Sequence, residues 1–198
     1  MLARAVGAWW LGQGAKYVVS AAWYASRGWY RPISEALTKH HIDIAHATNV
    51  HQVVDAFRGR VHWRPDPVFQ IADLVKPPLA LLDDGGDDCD GSAMLWAQAI
   101  NHALNVLGYQ ARIVSYLAAP FQMSHHVCIV VHPTGELQAI QPPPSDAQDP
   151  NTDPIVDRYF KTYRQAACEI ASWYGARVQG FDVRSASWGV VEKWRWLS

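Results

Sequence analysis

Leu81-Leu82-Asp83-Asp84-Gly85-Gly86-Asp87-Asp88-Cys89-Asp90-Gly91-Ser92-Ala93 is the stretch on which the fold turns. It sets one cysteine inside a run of carboxylates, directly ahead of a helical pattern. From Ala93 the apolar positions Ala93, Trp96, Ala97, Ile100, Ala103, Leu104 and Leu107 recur at steps of three and four. That spacing predicts an amphipathic helix, and Gly108 suits its left-handed stop. Asp87, Asp88 and Asp90 crowd the start, where carboxylates favour the positive end of the helix dipole. Cys89 therefore falls at or just before the first turn. Backbone N–H groups point outward there, and a thiolate is stabilised.

Beyond this helix the pattern changes period. Ala111 to Leu117 alternates as a strand, and a second strand follows from His125 to His132. Pro133 to Glu136 makes a hairpin turn, and a return strand runs from Leu137 to about Gln141. Pro142, Pro143 and Pro144 end the ladder, because proline has no N–H to donate. If Pro133 faces Glu136, Cys128 opposes Gln141, and His126 and Gln141 become diagonal neighbours on one face, about 7–8 Å apart. A slip of one residue exchanges His126 for His125. Residues 155–175 read as one further helix, followed by a Trp-rich tail.

Composition bounds what such a chain does. The 198 residues are 49% hydrophobic and 18% charged, with a net charge of −1, enough for one sizeable core and too apolar for a disordered chain. Near-zero charge argues against a nucleic-acid binder that works by neutralising phosphates. The balance is uneven: residues 1–64 carry a net +5, and residues 65–90 a net −6 centred on Cys89. Those carboxylates act to raise the thiol pKa, against the helix end. Three cysteines cannot all pair, and Cys128 and Cys168 read as small buried hydrophobes. His40, His41, His46 and His51 lack the spacing of a zinc site, and the Asp run lacks the terminal Glu of a calcium loop. No metal and no cofactor are expected. Ten Trp imply a large core, a protein interface, or both. The first 31 residues mix Trp9, Trp10, Trp23 and Trp29 with Arg4, Lys16, Arg27 and Arg31, a pattern for packing on the domain, on a partner or on a membrane surface. Neither a signal peptide nor a transmembrane helix is expected.

Three motifs together carry a resemblance. Gly86-Asp87-Asp88-Cys89-Asp90-Gly91-Ser92-Ala93 opens a helix, His126-Val127 lies on a strand, and Ile140-Gln141-Pro142 sets a polar residue before proline. This order resembles the transglutaminase-like cysteine peptidases of the papain-like group, in their bacterial and phage form. Trp63-Arg64-Pro65-Asp66-Pro67 is similar to the aromatic-x-x-Asp-Pro stretch that precedes the motif in such proteins. The resemblance spans roughly residues 50–145. Two departures stand out: one extra Asp between Gly86 and Cys89, and Gln141 where the family has Asp. A Gln carbonyl can accept the imidazole N–H and fix the tautomer without supplying charge; Asp146 and Asp149 are the alternatives.

The resemblance implies an α+β fold with a papain-like core, in which a nucleophile helix packs on an antiparallel sheet. With the core at 51–145, the flanking residues read as a helical aromatic-rich extension (1–50) and a C-terminal helix with a Trp-rich tail (146–198) packed on the same domain. The resemblance also implies acyl transfer through a thioester, with Cys89 as nucleophile, His126 as base and Gln141 as orienter, on a peptide or protein amide. Water as acceptor makes a peptidase or amidase, and an amine makes a cross-linking enzyme. The alternative is a non-enzymatic assembly protein, such as a phage virion component, that keeps this fold and meets a protein partner through its Trp-rich termini. Either location, cytoplasmic or virion-associated, fits this reading.

Overall fold

The computed structural model of the chain describes residues 31–64, 75–120, 123–141 and 154–197. The aromatic segment 1–30, Pro65 to Pro67, and the proline-rich loop with Asp146 and Asp149 lie outside them. In chain order the helices are α1 (Ile33–Lys39), α2 (Val50–Ala56), α3 (Pro78–Asp84), α4 (Cys89–Leu104) and α5 (Tyr163–Trp173). The strands are β1 (His62–Trp63), β2 (Gly86–Asp87), β3 (Gln110–Ala119), β4 (His125–Val131), β5 (Leu137–Ile140), β6 (Ile155–Phe160), β7 (Arg177–Arg184) and β8 (Val190–Trp196). The architecture is α+β. Six strands form one sheet in the order β6-β5-β4-β3-β7-β8, every neighbouring pair antiparallel.

Alternation along the central strands gives the sheet two buried faces. Ala111, Ile113, Cys128, Val130 and Ile140 turn toward α4, whose Ala93, Leu95, Trp96, Ala97, Ile100 and Leu104 join them in one core with α1 and α2. Val114, Tyr116, Val127, Ile129, Ala139 and Val183 face the other way, against Ala166, Ala167, Ile170 and Ala171 of α5. The small residues of α5 let it lie close on the sheet. Phe57, just after α2, meets Trp96 edge-on with ring centroids 5.2 Å apart.

The helix expected after the Asp run is α4. Asp88 caps it, accepting from the Asp90 N–H at 3.2 Å. A single 3-10 turn follows, and Gly108 stops the chain at φ +86°. At the far end the Asn101 side chain brackets Ala111, accepting its N–H at 2.7 Å and donating to its C=O at 3.1 Å. That clamp ties the end of α4 to the start of β3, so helix and strand run antiparallel.

Two expectations are corrected. The first is the hairpin register. His132 and Glu136 close a three-residue loop, and Cys128 opposes Ile140 where Gln141 was expected. Gly135 sits at φ +85°, the left-handed position that such loops require. The second is the helix over 155–175. Residues 155–160 are β6, and α5 begins only after Thr162, whose hydroxyl accepts from Gln165 N–H at 3.1 Å while Gln165 Oε1 accepts from Lys161 N–H at 2.9 Å. A side-chain cap of this kind starts a helix and thereby ends the segment before it. The tail supplies β7 and β8, so the sheet extends well past residue 145. Among the described residues no helix is long and apolar enough to cross a membrane.

Candidate active site

Cys89 is the first residue of α4 and is partly exposed. Its level along the sheet follows from the Asn101 clamp. Twelve helical steps from Asn101 back to Cys89 cover roughly 18 Å, and five strand steps from Ala111 to Tyr116 cover about 17 Å. The thiol end of α4 therefore lies level with Tyr116, which opposes His125 in the β3–β4 ladder. Electrostatics agree. Burial raises the Tyr116 phenol pKa, and the Cys89 charge raises it further, which requires the two to be near. Asp90, one residue on, is close enough to act on His125.

The strand pair β2–β1 holds the loop ahead of the cysteine. Gly86 packs so tightly on β1 that a Cβ there would stand 2.0 Å from the His62 carbonyl oxygen, and its φ is +154°. Gly91 is equally confined, because a Cβ would lie 1.9 Å from Oδ2 of buried Asp87. The acidic run is not left as bare repulsion. Lys76 Nζ lies 3.1 Å from Asp84 and 3.4 Å from Asp87. Burial works to lower the Lys76 pKa, but Asp87 and then Asp84 outweigh it and hold the ammonium above its ordinary value. The oxygens of Asp87, Asp88 and Asp90 lie within 4.8 Å of one another, the one grouping among the described residues with metal-ligand spacing.

The two histidines of β4 point to opposite faces. His125 lies on the α5 face between Tyr116 and Tyr174, with ring centroids 5.9 and 6.5 Å away. Burial pushes its pKa down to about 4. His126 lies on the α4 face and is 6% exposed. Its Nδ1 is 2.8 Å from Ser115 Oγ. Its ring packs against Trp188, with centroids 5.3 Å apart.

Gln141 is carried elsewhere. The one-residue register difference turns it to the α5 face, where its Nε2 donates to the Tyr174 hydroxyl. Its Oε1 is buried with no hydrogen-bond partner among the described residues. The structure thus sets Cys89 and the β4 histidines at one end of the sheet and does not bring Gln141 to His126.

Sequence reasoning missed the polar neighbours of His126. Ser115 stands directly opposite His126 on one side and directly opposite Asp182 of β7 on the other. Ser115 faces Asp182 and acts to lower its pKa, and Arg184 donates to the same carboxylate at 2.7, 3.1 and 3.2 Å. Burial raises the Asp182 pKa, with Arg184 and Ser115 opposing. The Arg184 guanidinium also lies 5.6 Å from the Trp188 ring centroid. Alternation in RVQGFDVR, with Asp182 and Arg184 both on the minority polar face of a strand, was the available signal. Comparison with protein-family models, curated proteins and solved structures finds no match for this chain.

Proposed function

We propose that this protein is a cysteine-dependent acyl-transfer enzyme, a peptidase or amidase built on a papain-like arrangement of nucleophile helix and antiparallel sheet. The observation that carries the reading is that a cysteine opens the helix covering one face of the sheet and a buried histidine, His126, lies on that same face. Its Nδ1 is engaged by Ser115, and the role of base is assigned to Nε2.

The chemistry follows from those positions. Nε2 of His126 takes the Cys89 proton, and Sγ adds to the substrate amide carbonyl. The Cys89 N–H, at the start of α4, contributes to stabilising the oxyanion. Collapse of the adduct breaks the C–N bond, and the imidazolium gives its proton to the departing amine. Water then adds to the thioester with His126 as base, releasing the acid and restoring the thiol. An amine in place of water yields a new amide.

Peptide mapping of Cys89 alkylation against pH tests the reading. Fast labelling below pH 7, lost in His126→Ala, supports a thiolate–imidazolium pair. Labelling with a midpoint near the ordinary thiol value of about 8.5, unchanged by the substitution, refutes it and turns attention to an assembly role.

A further inference from the structure

We propose that Ser115 and Asp182, and not Gln141, are the positioning residues of His126: a hydrogen-bonded row across three strands that fixes the imidazole as its Nδ1–H tautomer. The inference rests on the functional reading above. It adds which side chains make the histidine a base, and it places them on strands outside the hairpin that carries it.

The row is a consequence of register. In an antiparallel sheet, residues directly opposite one another project to the same face. His126 opposes Ser115, and Ser115 opposes Asp182, so the three side chains stand in line across β4, β3 and β7. The direction proposed for each contact follows from what the flanking groups can offer. Arg184 cannot lose its proton and offers only donors, so the Asp182 carboxylate accepts. Ser115 has one hydrogen to give, and we assign it to Asp182, the carboxylate directly opposite on β7 whose pKa the hydroxyl acts to lower. The remaining lone pairs of Ser115 Oγ accept from His126, whose Nδ1 must therefore carry the hydrogen. A proton arriving at Nε2 makes an imidazolium whose Nδ1–H already points along this row toward a carboxylate.

Burial gives the row its strength. Ser115 and Asp182 are both 0% exposed, so water does not compete along the row. Trp188 closes the side next to His126, and Arg184 braces Trp188 in turn. Trp188 holds φ +68°, a left-handed conformation that a bulky residue adopts only when its surroundings impose it. The charged groups that this row sets behind the His126 ring are Asp182 and Arg184 from β7, through Ser115.

The test uses the full-length protein with His ring nitrogens labelled with ¹⁵N. Long-range ¹H–¹⁵N spectra read the His126 tautomer, and alkylation of Cys89 at pH 6 reads the pair it serves. In the wild type the Nδ1–H tautomer is expected. Ser115→Ala and Asp182→Asn should lower the His126 midpoint and slow alkylation roughly 10- to 100-fold, the loss that a hydrogen bond to a charged group carries. Ser115→Thr keeps the hydroxyl and should restore most of both. Gln141→Ala should leave the tautomer and the midpoint where they are. An Nε2–H tautomer in the wild type overturns the proposal. So does an unchanged midpoint in Ser115→Ala, or a shift in Gln141→Ala equal to that in Ser115→Ala. If wild-type Cys89 labels slowly whatever happens at His126, the acyl-transfer reading has failed, and the tautomer still decides the row on its own.

Discussion

Replacing Arg184 by Met isolates the ion pair beneath the candidate site. Arg184 is 5% exposed and Asp182 0%, and the guanidinium makes three contacts of 2.7–3.2 Å to the carboxylate. Met keeps much of the apolar stem, so packing on Trp188 is partly retained while the charge is removed. Breaking a buried pair from one side costs about 3–5 kcal/mol, because it strands the other charge. For a chain of this length 1 kcal/mol moves the melting temperature by about 2–4 °C, so a fall of roughly 6–20 °C is expected. The loss should depend on pH. Burial already raises the Asp182 pKa, and Arg184 opposes it; without Arg184 the folded value climbs further. A carboxyl whose folded pKa lies above its unfolded value contributes fully below the unfolded value, about 3.9, and that contribution is lost as pH rises through the folded value. The penalty in Arg184→Met should therefore be largest near pH 8 and shrink toward pH 4. Urea unfolding at the two pH values measures it. A penalty under about 1 kcal/mol at pH 8, or one equal at both pH values, would falsify the electrostatic account and leave Arg184 as a packing residue.

Other consequences are simpler to state. Gly86→Ala combines positive φ with a 2.0 Å clash on β1, so urea unfolding should show a loss of at least about 1–3 kcal/mol; a neutral result means the β1–β2 contact is loose. Asn101→Ala removes the side chain that clamps the Ala111 N–H and C=O, leaving the C=O to the Arg112 guanidinium, and should cost about 1–3 kcal/mol, with faster amide exchange at Ala111 as its local signature. His125, with its pKa pushed down to about 4, should remain neutral in NMR spectra at pH 5. Because its unfolded form titrates near 6.5, stability should fall between pH 6.5 and 4, by up to about 3 kcal/mol; titration of the folded ring near 6.5 contradicts this. Burial also pushes the Cys128 thiol pKa up, so native alkylation should reach partly exposed Cys89 and leave Cys128 unlabelled until the protein unfolds.

What was legible in the sequence was what is local. The Asp88 cap, the three–four period and Gly108 all lie within one helix, and each acts over a few residues. α4 therefore starts where the Asp run says it must, with Cys89 as its first residue. Strand existence was legible for β3, β4 and β5, since alternation and the Pro133–Gly135 turn are also local. β6 was not. IVDRYF satisfies a helical stripe as well as a strand, and the deciding cue was the Thr162–Gln165 cap that begins a new helix after it. Cys168 illustrates a smaller miss: expected to be buried, it is partly exposed on α5, beside Arg164.

The site itself shows why sequence reading stops where it does. A turn with three loop residues differs from one with two by a single position, and with a side-chain period of two that position exchanges faces. It sends Ile140 into the core under α4 and Gln141 to Tyr174. His126 stays on the α4 face regardless, because its partner there is β3, joined to β4 by its own register. The groups that meet it, Ser115 and Asp182, are 11 and 56 positions away along the chain. No spacing rule links them, because their alignment is set by two independent strand pairings, each stabilised by apolar residues on the opposite face such as Val114, Val127 and Val183. A polar row buried in a sheet is thus specified by the hydrophobic residues that fix its register. For the same reason Val114→Ala, which touches none of the three polar side chains' face, should disturb the His126 tautomer only to the extent that it loosens the β3 pairing on both sides.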